Sequence, residues 1–157
     1  MRTTKQYGRK IDQALSLWVK LARASDTMSV LTVRDIANYG LTGAQFGVIE
    51  SLGHLGPMKV GELCAKNLRT GGNMTVVVDN LEREGLVERR DLPEDRRAYV
   101  ITLTEKGRKL FERIFIQHAK YVSELVHVAL TEDEISHLSA LLKKLGLSLK
   151  EGVAKTE

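Results

Sequence analysis

Apolar positions change from a helical to a strand spacing within the stretch from Lys59 to Leu103. A short helix is predicted in KVGELCAKN and a second helix in NMTVVVDNLEREG. The second helix carries one apolar stripe, made by Met74, Val77, Val78 and Leu81. The runs LVERR and AYVITL follow, and the proline and acids of the intervening DLPEDRR are typical of a turn. The pattern therefore predicts two consecutive helices followed by a β-hairpin.

Two further helices are predicted before this stretch. The first covers about residues 7–24, and residues 25–40 either prolong it or form a separate turn. The next begins at a capping box of Thr42 and Gln45. Its buried side is made by Phe46, Ile49 and Leu52. We expect it to be stopped by Gly53, Gly56 and Pro57, and Met58 to begin a short strand that pairs with the hairpin.

Two more helices are predicted after the hairpin. Thr104 opens one that, if unbroken to Leu130, is about 40 Å long at the usual helical rise. Thr131 and Glu134 form a capping box that opens the last helix. Its apolar face is made by Ile135, Leu138, Leu141, Leu142, Leu145 and Leu149. Surplus leucine with little else to cover it predicts a dimer.

These elements predict a mainly α fold: a winged helix-turn-helix with a small β-hairpin wing, plus N- and C-terminal dimerisation helices. We expect three segments. Residues 1–38 form an N-terminal helix that is part of the dimerisation region, 39–108 the winged helix-turn-helix DNA-binding domain, and 109–157 the stalk and the C-terminal dimerisation helices.

The face opposite the apolar stripe of the second helix suits a DNA major groove. Amide, hydroxyl and guanidinium groups lie there beside Asp79 and the apolar Val76, which can pack against a thymine methyl. Paired arginines near the hairpin tip suit a phosphate ridge and a minor groove. The predicted DNA-binding residues are Arg69, Thr70, Gly72, Asn73, Thr75, Val76, Asn80, Arg83, Arg96 and Arg97.

The stretch TGGNMTVVVDNLEREGLVERRDLPEDRRAYVITLTEKGRKL, residues 70–110, resembles the MarR family of transcriptional regulators. The helix, the D-x-x-DRR wing and the LTxxG helix start occur together at the family's separations. The resemblance implies that the helix from Thr70 enters the major groove and that Arg97 probes the minor groove. It also implies a homodimeric repressor, or an activator at some sites, on a quasi-palindromic operator. A small ligand or an oxidised thiol would lower its DNA affinity.

The resemblance also gives the expected effector site. A small molecule, of aromatic character, is expected where the long helix meets the DNA-binding lobe, near Trp18, Phe46, His54 and Phe111. For Trp18 we favour a core or dimer anchor over a pocket wall. For Cys64, a small buried hydrophobe is favoured over a redox sensor, which needs an exposed thiol with a lowered pKa.

Competing functions were weighed on the same residues. A regulatory module that binds protein through its wing would tolerate apolar or acidic wing residues, whereas Arg83, Arg96 and Arg97 favour phosphate. The carboxylates already cap helices or lie on exposed helical faces, so no enzyme is predicted. No two histidines have an i, i+4 spacing, and neither a metal nor a cofactor is expected. A metal site assembled from His118, His127 and Glu124 is the alternative.

The amino-acid composition is compatible with a DNA-binding protein but does not by itself indicate one. A chain of 157 residues with 43% hydrophobic content can bury one core, and a net charge of +4 permits DNA binding without requiring it. The single cysteine excludes an internal disulfide and fits a reducing compartment. With neither a membrane-length apolar run nor a secretory signal, we expect a cytoplasmic protein without a membrane partner.

Overall fold

The computed structural model describes residues 7–67, 71–92 and 95–154. For residues 71, 72, 92, 95–98 and 150–154 it describes the backbone. In chain order the elements are α1 (Arg9–Ala37), α2 (Gly43–Leu55), α3 (Val60–Asn67), α4 (Gly71–Arg83), β1 (Val87–Leu92), β2 (Asp95–Leu103), α5 (Glu105–His127) and α6 (Glu132–Ala154). The predicted mainly α fold with one two-stranded hairpin is confirmed.

The first helix is longer than its early apolar pattern alone indicates. α1 runs unbroken through the segment whose structure the pattern left open. Neither glycine nor proline occurs between Arg9 and Ala37, so nothing in the chain forces a break. The hydroxyl of Thr32 donates to the carbonyl oxygen of Met28 at 2.8 Å, within the helix. The helix ends just before Gly40, whose φ of 75° lies in the left-handed region that favours glycine.

The second helix starts as predicted and continues past one expected stop. The Thr42 hydroxyl accepts from the Gln45 amide, and the Gln45 side chain accepts from the Thr42 amide. Gly53 was expected to help end the helix, but that prediction is wrong because α2 continues to Leu55. The glycine has a packing role instead: a Cβ at Gly53 would lie 2.6 Å from ring carbons of Phe111.

The core of the helix-turn-helix follows the predicted apolar stripes. Met74, Val78 and Leu81 of α4 are fully buried, as is Leu63 of α3. At the end of α4, Gly85 has a φ of 68°. The amides of Gly85 and Leu86 donate to the carbonyls of Glu82 and Leu81, which is the double hydrogen bond of a Schellman cap. The cap turns the chain directly from α4 into the hairpin.

The wing is an antiparallel pair that begins at the register Val87↔Leu103 and has an irregularity between Asp91 and Leu92. Met58 adds the predicted third pairing as a single bridge: it exchanges two backbone hydrogen bonds with Ile101, at 2.8 and 3.0 Å. Because Ile101 is fully buried, this bridge joins the base of the wing to the core.

The long helix begins at Thr104, whose hydroxyl accepts from the Gly107 amide at 3.1 Å. It ends at His127, three residues short of the Leu130 named as its far limit. The chain divides within α5 into two compact units, Met1–His118 and Ala119–Glu157. In the second unit, the predicted capping box of Thr131 and Glu134 is present. Within the described residues no helix is long and apolar enough to cross a lipid bilayer.

Candidate nucleic-acid interface

The exposed side of α4 is opposite the stripe that holds the helix in the core. Asn73, Thr75, Val76 and Arg83 are exposed, and Asn80 is half-buried. Val76 is 58% exposed, although the two valines that follow it along the chain, Val77 and Val78, pack inward. The helix therefore presents amide, hydroxyl, apolar and guanidinium groups together on one accessible face, as the pattern predicted. Gly72 lies in the first turn of the same helix.

Several of the predicted DNA-contact residues lie outside the described residues or are described by their backbone alone. Arg69 and Thr70 are outside the described residues. Arg96 and Arg97 lie in β2, directly after its first residue, Asp95. Asp95 pairs with Leu92 across the hairpin, so the backbone of both arginines is next to the tip.

Arg89, on β1, is a residue of this surface that sequence reasoning missed. Its Nη2 lies 2.5 Å from Oδ1 of Asp79, and its Nη1 pairs with Oε2 of Glu82; both acids belong to α4. The Arg89 amide also donates to Oε1 of Glu82 at 3.3 Å. The guanidinium carbon is 5.5 Å from the centre of the Tyr99 ring on β2. One side chain thus connects the recognition helix α4 to both strands of the wing.

The same contacts stabilise the charged form of the Arg89 guanidinium. The pKa of Arg89 is raised above its ordinary value, first by the hydrogen bond to Asp79 and further by Tyr99 and the charge of Glu82, against the opposing effect of burial. The sequence had placed Asp79 on the DNA-facing side of the helix. The structure pairs it with Arg89 instead, so Asp79 is committed to an intramolecular contact. The signal in the sequence was the i, i+3 spacing of Asp79 and Glu82.

The far end of α4 is held by side chains from the flanking helices. Gln45 of α2 donates to Oε1 of Glu84 at 3.1 Å. Lys106 of α5 donates to the Glu84 carbonyl, and the Thr104 hydroxyl donates to the Gly85 carbonyl, both at 2.7 Å. The bonds from Lys106 and Thr104 satisfy backbone carbonyl groups that the helix end leaves free. They fix the C-terminal end of α4 on the beginning of α5.

Three of the four residues expected near an effector site lie in ring contacts. His54 packs edge-on against Phe111 and Phe115, with ring centres 5.1 and 4.3 Å apart. Phe46 packs edge-on against His118 at 4.9 Å. Trp18 is 64% exposed on α1, and in the described part of the chain no ring contact joins it to these aromatics.

The remaining candidates for site chemistry are Cys64 and the histidines. Cys64 is half-buried and packs against the core, beside the fully buried Leu63. Among the described residues, no group of three or more histidine, cysteine or acidic side chains is arranged to hold a metal ion.

Comparisons with known proteins decide the family. The model of the MarR family matches residues 39–98, which cover the helix-turn-helix and most of the wing. The transcriptional regulator MhqR of Bacillus subtilis is 34% identical over 89% of this chain and 96% of its own. The chain belongs to the MarR family.

Two solved structures extend the likeness to the fold. AbsC, a MarR family transcriptional regulator from Streptomyces coelicolor, superposes with a TM-score of 0.81 at 18% identity, covering 94% of this chain and 99% of AbsC. A cysteine-to-serine variant of MarR from E. coli, in complex with operator DNA, superposes with a TM-score of 0.77 at 25% identity, covering 88% of this chain and 99% of that one. This MarR-family chain is thus a DNA-binding transcriptional regulator with the family's winged helix fold.

Proposed function

We propose that this MarR-family chain is a homodimeric, sequence-specific repressor that binds a quasi-palindromic operator and is released by a small-molecule ligand. The observation that carries sequence specificity is the exposed side of α4. Val76 is apolar and 58% exposed beside the exposed Asn73 and Thr75, an arrangement that fits direct contact with base edges. Arg83, about two turns beyond Val76 along α4, has the reach for guanine or phosphate.

The wing supplies the second contact in this proposal. Arg96 and Arg97 are next to the hairpin tip by backbone position. In this proposal one of them lies along the phosphates while the other enters the minor groove, and Arg97 is our candidate for the groove. Arg69 and Thr70, just before α4, would add contacts to the backbone at the start of the helix.

A homodimer is proposed from apolar surface that is exposed in the single chain. On α6, Leu138, Leu141, Leu142, Leu145 and Leu149 are all exposed. On α1, Leu15 and Trp18 are about half exposed or more. Stripes of large apolar residues on two separate helices are unusual in a monomer. A two-fold dimer would present two recognition helices to successive turns of the major groove.

An effector is proposed to act through the spacing of those two helices. The candidate binding residues are Phe46, His54 and Phe111. Phe46 and His54 lie on α2 and Phe111 lies on α5, whose first turn holds the end of α4. A ligand that shifts α5 would therefore move the recognition helix, and both helices of a dimer must fit the DNA at once.

The wing contact is tested with a matched pair of substitutions. Arg97→Ala should weaken operator binding about tenfold or more while the dimer stays folded. Arg108→Ala is the control, because it removes the same charge from α5, which follows the end of β2 that is far from the hairpin tip. It should leave operator affinity nearly unchanged. Equal effects of the two substitutions would remove the wing from the proposal.

A further inference from the structure

Arg89 contacts both elements that carry the proposed DNA contacts, the recognition helix α4 and the wing. Its guanidinium bridges Asp79 and Glu82, one turn apart on α4, while its own backbone belongs to β1. Its side chain is only 26% exposed, so it is committed to these contacts and not extended into solvent.

The contacts restrain the hairpin in more than one direction. The side-chain pairs join β1 to α4, and the Arg89 amide donates a further hydrogen bond to the Glu82 carboxylate. Tyr99 of β2 covers the guanidinium from the other strand. At its base the wing is also tied to the core by the bridge between Met58 and Ile101, and Arg89 pairs with Ile101 in the hairpin register. Arg89 thus joins helix and wing at the same register as that bridge, on the opposite strand of the hairpin.

The geometry of a two-point DNA contact gives this tie a function. A helix in the major groove and a wing in the neighbouring minor groove bind together only if their separation matches the duplex. A wing that moves freely loses part of its contact, because ordering it on DNA costs conformational entropy. A guanidinium that bridges two acids is suited to holding such a separation, since its planar fork fixes direction as well as distance.

We propose that Arg89 is a positioning residue for operator binding: by holding Asp79 and Glu82 it fixes the wing relative to the recognition helix, so that Arg97 reaches the minor groove while α4 is in the major groove. The proposal rests on the proposed function, because it needs the wing to contact DNA.

The test is a double-mutant cycle between Arg89 and Arg97, measured as operator affinity at one fixed salt concentration. Arg97→Ala should cost about tenfold in the wild-type background. In the Arg89→Gln background the wing is no longer positioned, and the same Arg97→Ala change should cost less than about twofold. An equal loss in both backgrounds overturns the positioning role. No loss from Arg97→Ala in the wild-type background overturns the wing contact itself, and with it this inference.

A second pair of variants separates positioning from simple charge neutralisation. If Arg89 only cancels two carboxylates near the DNA phosphates, adding Asp79→Asn and Glu82→Gln to Arg89→Gln should restore wild-type affinity. Positioning predicts that affinity stays low, because the tie remains absent. Full restoration overturns the proposal.

Two further variants separate these effects from loss of folding. Arg90→Gln is the matched control, because Arg90 is the next residue of β1, is 65% exposed and pairs with Glu88 of the same strand. It should leave the Arg97→Ala cost at its wild-type value. Arg89→Lys should keep part of the tie, since one ammonium can hold one acid, and should give an intermediate cost of Arg97→Ala. The contrary outcome is that Arg97→Ala costs as much operator affinity in the Arg89→Lys protein as in the wild type, with an unchanged melting temperature. That result would contradict the need for a guanidinium that bridges both acids.

Discussion

The carbonyl oxygen of Leu86 lies directly against the α-carbon of Gly107. A Cβ at Gly107 would overlap that oxygen and lie 2.9 Å from the carbonyl carbon. This is the glycine of the LTxxG helix start, and it allows α5 to approach the chain segment that leaves α4. Because the obstacle is backbone, Gly107→Ala should lower the free energy of unfolding by about 3 kcal/mol, measured by chemical denaturation at fixed protein concentration.

The matched control is Gly61→Ala on α3. Nothing lies within 4 Å of a Cβ at Gly61. Alanine there should leave stability unchanged or raise it by up to ~1 kcal/mol, because it reduces the freedom of the unfolded chain. If Gly107→Ala were as well tolerated as Gly61→Ala, the close approach of α5 to Leu86 would be wrong.

The pair of Asp35 on α1 and His118 on α5 is expected to contribute to folding. Oδ2 of Asp35 lies 2.7 Å from Nδ1 of His118, and both side chains are largely buried. Asp35→Ala leaves the buried imidazole nitrogen without this partner and should cost about 1–3 kcal/mol in thermal or denaturant unfolding. Asp26→Ala changes an exposed acid of the same helix and should cost less than about 0.5 kcal/mol. Equal costs would mean that the pair adds nothing.

Val76→Ala tests base contact by α4. The side chain is 58% exposed, so its loss should leave the melting temperature unchanged. If Val76 contacts a base, operator affinity should fall several-fold, while affinity for a random duplex stays constant. Val128→Ala makes the same change at a residue that is 85% exposed and should affect neither. A Val76 effect of equal size on both duplexes would argue against base contact.

Leu141→Asp tests the dimer. Leu141 is 64% exposed on α6. If a second copy covers it, a buried carboxylate should raise the dissociation constant of the dimer by about tenfold or more, as read from sedimentation. Ser139→Asp adds the same charge about 200° around the helix and should leave the dimer intact. A Leu141→Asp protein that sediments like the wild type would place the dimer contact elsewhere.

Local patterns were sufficient for most of the fold. The α4 stripe, both capping boxes and the hairpin were predicted from spacing alone and are confirmed, because each depends on residues that are close in sequence. The extent of α1 stayed open, since the polar residues 25–27 resemble a break although they do not prevent a helix. The prediction for Gly53 was wrong because the ring that requires a glycine at this position belongs to Phe111, which lies 58 positions further along the chain.

The exposed face of α4 could be predicted from the sequence, but the contacts of Asp79 on that helix could not. Exposure of Val76 on α4 follows from the 3.6-residue period, since the opposite face must be buried. The pairing of Asp79 with another side chain of the protein does not follow from the helical period. Its partner Arg89 lies on the next element, and only the turn at Gly85 brings the two together. A single sequence gives little indication of ion pairs between different elements. Here the indication was the spacing of Asp79 and Glu82, one helical turn apart.

The central claim is sequence-specific DNA binding through the α4 face and the wing. It is tested most directly by titrating the purified protein against the duplex upstream of its own gene and against a random duplex of equal length, over a series of salt concentrations. The account predicts at least about a thousandfold preference for the upstream duplex, and affinities for both that fall steeply as salt rises. Equal affinity for the two duplexes, or no binding to either at low salt, would contradict it.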